Sequence, residues 1–260
     1  MMLFAWRVLG SLSPMAKRVT RSVIVLAIGA FLFQPRPSSA EDFYLTVGVK
    51  LWYPQWDIKV GGETLSSDFE LMAAPAVGLR WGRYFAGASL TSGSFTFPLK
   101  RGLQLESPQG TVTQVSGKAD FIQLETGVGY YVVPWFGPYV GYLSQSQKFE
   151  FNTLPSNESV KGDQNLGALL IGALFNRPTL WPRTAFYANG AFVGVLSRDV
   201  RGTLAEVGFA YAALRAPVSF SAGFKYQDLR YQRDILKLNK NPRERDTFLG
   251  LTLGIHYTLD

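Results

Sequence analysis

The stretch Thr247-Phe-Leu-Gly-Leu-Thr-Leu-Gly-Ile-His-Tyr-Thr-Leu259 alternates without a break. Thr247, Leu249, Leu251, Leu253, Ile255, Tyr257 and Leu259 fall on one face, and Phe248, Gly250, Thr252, Gly254, His256 and Thr258 on the other. A period of two is the signature of a strand with one apolar face. The segment from Phe43 repeats the pattern, with Phe43, Leu45, Val47, Val49, Leu51 and Tyr53 opposite Tyr44, Thr46, Gly48, Lys50 and Trp52. Large aliphatic residues gather on one side, and glycine, threonine and a lysine take the other.

In a soluble sandwich the aliphatic face turns inward. In a membrane barrel it meets lipid, and the small and polar face lines the lumen. Eight further strands are expected, at 70–81, 84–95, 118–132, 137–149, 164–175, 185–197, 203–214 and 217–228. Ile122, Leu124, Val128, Tyr130 and Val132 oppose Phe121, Gln123, Glu125, Gly127 and Gly129. Val218, Phe220, Ala222, Phe224 and Tyr226 oppose Ser219, Ser221, Gly223, Lys225 and Gln227. Segments 164–175 and 185–197 are apolar on both faces, which leaves their facing open. Most of these runs exceed the five or six residues usual in soluble sheets. They suit a bilayer, which asks for about 9–11 tilted residues. Lipid offers backbone groups no partner, so such strands must close into a ring. The fold expected is all-β, a closed antiparallel up-and-down barrel of about ten strands.

The connections alternate in length. Gly82-Arg83, Val133-Pro-Trp-Phe136 and Arg215-Ala216 are tight, whereas 54–69, 96–117, 150–163 and 229–245 are long and polar. Periplasmic turns alternating with extracellular loops produce that rhythm. Trp81, Tyr84, Tyr130, Trp135 and Phe136 sit beside the tight turns, as an interfacial aromatic girdle would. An even strand count returns both ends of the barrel to the short-turn side. The joint at 176–184 is long for a periplasmic turn, and a miscounted pair there would make eight or twelve strands.

Composition agrees. Charged residues are 17%, against about 25% in soluble domains. The formal charge of +7 would suit a nucleic-acid binder, but Arg7, Lys17, Arg18, Arg21 and Arg36 lie in the first 40 residues, where there is no acid. The remainder holds 21 basic against 19 acidic residues, a net of +2, so no nucleic-acid partner is expected. Lys17, Arg18 and Arg21 precede an apolar run from Val23 to Phe33 and the small residues Ser38-Ser-Ala40. This reads as a secretory signal over 1–40 that leaves a barrel domain over 41–260. The run is too short for a helix across a bilayer. Cysteine is absent, which excludes disulfide scaffolds and thiol chemistry.

Over residues 41–260 the pattern resembles the small Gram-negative outer-membrane β-barrels of the eight-to-ten-strand kind. Leu251-Thr-Leu-Gly-Ile-His-Tyr-Thr-Leu-Asp260 is similar to the final strand that the barrel-assembly machinery reads in that superfamily, although Leu259 and Asp260 replace the usual terminal aromatic. The resemblance implies an outer-membrane location, membrane lipids as neighbours and the assembly machinery as a partner during insertion.

Parity places Lys50, Arg80, Gln123, Glu125, Glu206 and Lys225 in the lumen. Charges of both signs in a narrow barrel can pair and plug it, or can line a path for small solutes; such networks are more often structural. His256 is the only histidine. Omptin-like proteases need a histidine at the extracellular rim, and His256 falls at the periplasmic end. Outer-membrane phospholipases pair a lipid-facing His with a Ser two residues on, where this chain has Thr258 on the lumenal face. Lipid A deacylases act at the outer leaflet, again the wrong end. With one His and no Cys, acyl-transfer chemistry has little material. No metal or cofactor motif is present, and Gly127-Val-Gly129 lacks the helix a phosphate loop needs. The reading is a non-enzymatic barrel with a structural or surface-interaction role, with a narrow channel as alternative. The loop at 229–245 is dense in charge, and basic loops of this kind either touch lipopolysaccharide phosphates or are simply solvated.

Overall fold

The computed structural model describes residues 43–60, 63–107, 110–154, 158–195, 200–214, 216–232 and 243–259. The signal expected over 1–40 lies outside them. Every element is a strand: β1 (Phe43–Val60), β2 (Glu63–Ser66), β3 (Met72–Trp81), β4 (Tyr84–Ser107), β5 (Gly110–Tyr130), β6 (Phe136–Leu154), β7 (Glu158–Pro178), β8 (Thr184–Val193), β9 (Val200–Ala212), β10 (Val218–Gln232) and β11 (Arg243–Leu259). Sequential neighbours pair antiparallel, and β11 pairs back onto β1 from Leu45↔Leu259 to Lys59↔Arg245. The ring therefore closes with ten strands. The short β2 pairs only with the top of β1 and stands outside the count.

The outer face carries the aliphatic rows. Val47, Val49 and Leu51 on β1 and Leu249, Leu251, Leu253 and Ile255 on β11 are exposed, Leu253 to 57%, while their neighbours Trp52, Phe248 and Thr252 are buried inside. The two doubly apolar segments now have a facing: Leu166, Ala168 and Leu170 turn inward and Leu169 and Ile171 outward, with Ala191 and Val193 inward and Phe192 outward.

Short connections all lie at one end. Trp81 pairs with Tyr84 across Gly82-Arg83, where Gly82 adopts φ 55°, a region glycine enters without a Cβ clash. The doubtful joint resolves as a turn: Pro178 pairs with Ala185, and the Thr179 amide donates to the Thr184 carbonyl at 2.8 Å.

At the other end the strands run on through most of the stretches expected as loops. β4 and β5 pair as far as Ser107↔Gly110, with irregular register after Phe97 and Arg101, and β6 and β7 pair to Thr153↔Glu158. β3 reaches only to Met72, and β8 and β9 stop at Val193 and Val200. Beyond the lipid band the alternation inverts: Phe95, Phe121, Phe149 and Phe151 point inward and are buried, whereas Asp120, Lys148 and Glu150 face out. Water now bathes the outer wall, so the apolar residues move to the interior, as in an ordinary soluble sheet.

Candidate functional site: the filled lumen

That inversion builds a plug. Phe248 packs against Trp56, Phe121, Trp52 and Phe95 with ring centroids 5.1, 5.3, 5.9 and 5.9 Å away. Alongside lies a layer of glutamines. The Gln123 and Gln227 amides exchange hydrogen bonds at 3.1 and 3.0 Å, and Gln227 also donates to Gln145 at 3.0 Å. Trp52, Trp56, Phe95, Phe121, Phe248, Gln123, Gln145 and Gln227 are each at most 1% exposed. A side chain lining a water-filled bore would be wetted; these are dry, so the bore is shut at their level.

Below the plug, toward the short turns, two ion pairs cross the lumen. Lys225 on β10 reaches Glu125 on β5, and Lys50 on β1 meets both oxygens of Glu206 on β9 at 2.8 Å. Each pair is tied into its surroundings. Gln123 donates to Glu125 at 2.6 Å, Lys225 sits 4.9 Å from the Trp52 ring centre, and Glu206 also accepts from Tyr187 and Thr252 at 3.2 Å each. Extra donors of this kind are what allow buried charges to be tolerated.

Beneath the ion pairs a blind vestibule of about 690 Å³ opens at the short-turn end, lined in part by Tyr44, Asn176, Tyr139, Asn189 and His256. Tyr139 donates to Asn189 at 2.9 Å, and His256 Nε2 lies 3.3 Å from Ser221 Oγ. Inward glycines make room for the rings: a Cβ on either Gly208 or Gly223 would come within 2.7 Å of the Tyr187 hydroxyl.

No family model matches the chain, and no curated protein matches it. Among solved structures it is similar to the outer-membrane protease OmpT of Escherichia coli, with a TM-score of 0.55 over 86% of this chain and 99% of that one, at 9% identity. The fold is that of the outer-membrane β-barrels. At such identity the likeness concerns fold alone. The translocator domain of the autotransporter NalP from Neisseria meningitidis is similar at a TM-score of 0.43, with 12% identity over 94% of this chain and 96% of that one.

Of the six residues that parity assigned to the lumen, five form the two ion pairs and the glutamine layer. Arg80 is apart from them. It lies on the inward row at the vestibule mouth, donating to the Gly82 carbonyl at 3.1 Å and standing 5.0 Å over the Tyr131 ring. Of the five aromatics beside the tight turns, Trp81, Tyr84, Tyr130 and Phe136 lie on the outward parity, and Trp135 sits exposed in the turn before β6. Tyr84 stacks edge-on to Tyr130 at 5.1 Å and lies 6.3 Å from Trp81; Trp135 lies 6.3 Å from Phe136 and 5.3 Å from Phe175. The belt continues through Phe186 and Phe209, which sequence inspection missed because they sit mid-run. The missed partners inside are Gln145, Tyr187, Thr252 and Ser221. Their signal was inward parity on strands whose register the sequence does not give.

Proposed function

We propose that the chain is exported and resides in the outer membrane as a non-enzymatic, non-conducting barrel that carries a rigid crown of strands outward, a structural or surface-interaction role. One observation carries this reading: the dry layer of aromatic and glutamine side chains across the bore. Two further features support it. The carboxylates of both ion pairs accept further hydrogen bonds from protein donors at the closed end of the vestibule. His256 and Ser221 lie inside the barrel on the short-turn side of the ion pairs, and among the described residues no carboxylate is hydrogen-bonded to the histidine as an orienting third member would be.

Reconstitution of the purified chain in planar bilayers tests the proposal. No discrete conductance above the protein-free background is expected. Stable stepwise conductance, altered by Lys50→Ala or Glu125→Ala, would replace it with the small-solute channel.

A further inference from the structure

The outer wall above the lipid band carries two different charge arrangements. On β5, β6 and β7 every outward charge faces its opposite: Lys118↔Glu150↔Lys161 in one row and Asp120↔Lys148↔Asp163 in the next, with Lys161 and Glu150 at 2.9 Å. On the opposite side of the ring the register brings Lys59, Arg245, Arg230 and Arg201 into a single row across β1, β11, β10 and β9. Three successive neighbours are thus cation beside cation, an arrangement that destabilises a sheet when the charges have no other partner.

Asp228, in the row beneath, holds the middle of the array. Its carboxylate accepts from Arg245 at 2.7 and 3.3 Å and from Arg230 at 3.4 Å, and it is buried under them. Asp57 is the other acid of that row, beside Thr247. Two carboxylates against four cations leave an excess of positive charge, and Lys59, Arg201 and Arg230 are exposed. Four residues below the cationic row on the same strands lie Gln55, Leu249, Tyr226 and Ala205, where the apolar outer surface begins. At roughly 3.3 Å per residue, tilted, the backbone of the cationic row stands about 10 Å above hydrocarbon, and the long Lys and Arg side chains reach down from it into the headgroup layer.

We propose that this row is a binding site for the phosphate groups of the outer-leaflet glycolipid, lipopolysaccharide. Guanidinium groups already oriented by Asp228 present their remaining N–H groups to phosphate oxygens, which take such forks bidentately. The acyl chains of the same molecule lie along the exposed Leu249, Leu251 and Phe224 just below. The inference deepens the membrane reading and rests on it, because the row reaches headgroups only if the long-strand end faces outward.

The test is native mass spectrometry of the full barrel in detergent, with bis-phosphorylated lipid A and its fully dephosphorylated form as probes. The native chain is expected to retain the phosphorylated form with at least about tenfold preference, and the triple variant Lys59→Gln/Arg201→Gln/Arg230→Gln to lose it. The control Lys118→Gln/Lys148→Gln/Lys161→Gln on the other wall is expected to keep the preference. Equal retention of both forms by the native chain overturns the proposal, as does loss of preference in the control alone. Displacement of lipid A by millimolar inorganic phosphate would overturn the lipid assignment. Unheated samples that fail to migrate differently from boiled ones in SDS would instead indict the barrel reading itself.

Discussion

Gln123 and Gln227 stand on opposite walls of the barrel and exchange both amide hydrogen bonds across its axis, at 3.1 and 3.0 Å. Because both are buried, losing Gln123 leaves the Gln227 side-chain carbonyl dry and without that donor, although the Gln227 amide keeps Gln145. Gln123→Leu is therefore expected to lower stability by about 1–3 kcal/mol, and Gln123→Leu/Gln227→Leu to restore only part of it, since Gln145 and Glu125 then each lack a donor. Denaturant unfolding from lipid vesicles reads this out. A double variant worse than either single one would contradict it.

The Lys225–Glu125 pair behaves similarly at higher stakes. Lys225→Met strands a carboxylate beneath the plug, and a loss of roughly 3–5 kcal/mol is expected, reduced when Glu125→Leu is added. The same unfolding assay, run as a double-mutant cycle, gives the coupling. Additive single effects would show that the two groups do not act as a pair.

Phe248 touches four other rings in the plug and is fully buried. Phe248→Ala opens a cavity there, and a cost of about 3–5 kcal/mol is expected from lost burial and packing. Its unfolding midpoint should fall while the heat-dependent SDS shift persists, because the ring of strands stays closed. A cost below about 1 kcal/mol would show that the plug is loosely packed.

On the outer wall, depth decides. Leu253→Arg places a guanidinium toward the middle of the apolar band and is expected to cost about 2–4 kcal/mol in vesicles. Thr247→Arg, beyond the band's edge at Leu249, is expected to cost about 0–1 kcal/mol. Equal costs would mean that the aliphatic rows do not face hydrocarbon.

The lipid-facing halves of the strands were plain in the sequence because Leu249, Leu251 and Leu253 alternate with Thr252 and Gly254, and only a bilayer wants that phase. Segment 164–175 resisted because the interior at its level is as greasy as lipid: Leu166 and Leu170 line the plug, and Leu169 and Ile171 meet the membrane. The upper strands read as polar loops because their outer wall is wet. Gln147-Lys-Phe-Glu-Phe151 alternates as cleanly as any strand, but with the phase reversed. Register was the missing quantity throughout. Parity put Lys50 and Glu206 in the lumen, yet only the pairing of β1 through β11 and β10 to β9 brings them within 2.8 Å. For the same reason Arg80 shared a parity with the network without sharing its depth.

The β4–β5 hairpin continues from Ser92 to Ser107 past the greasy belt. At roughly 3.3 Å per residue and a tilt near 40°, that lifts its crest on the order of 40 Å from the bilayer edge. The β8–β9 hairpin, on the far side of β6 and β7, ends far lower. The rim opposite the short turns is therefore a lopsided palisade, tall on one flank and notched on the other. Under the proposed orientation a large body approaching from outside meets the tall flank first, and trimming matched pairs of residues from β4 and β5 lowers that mast without disturbing the apolar band.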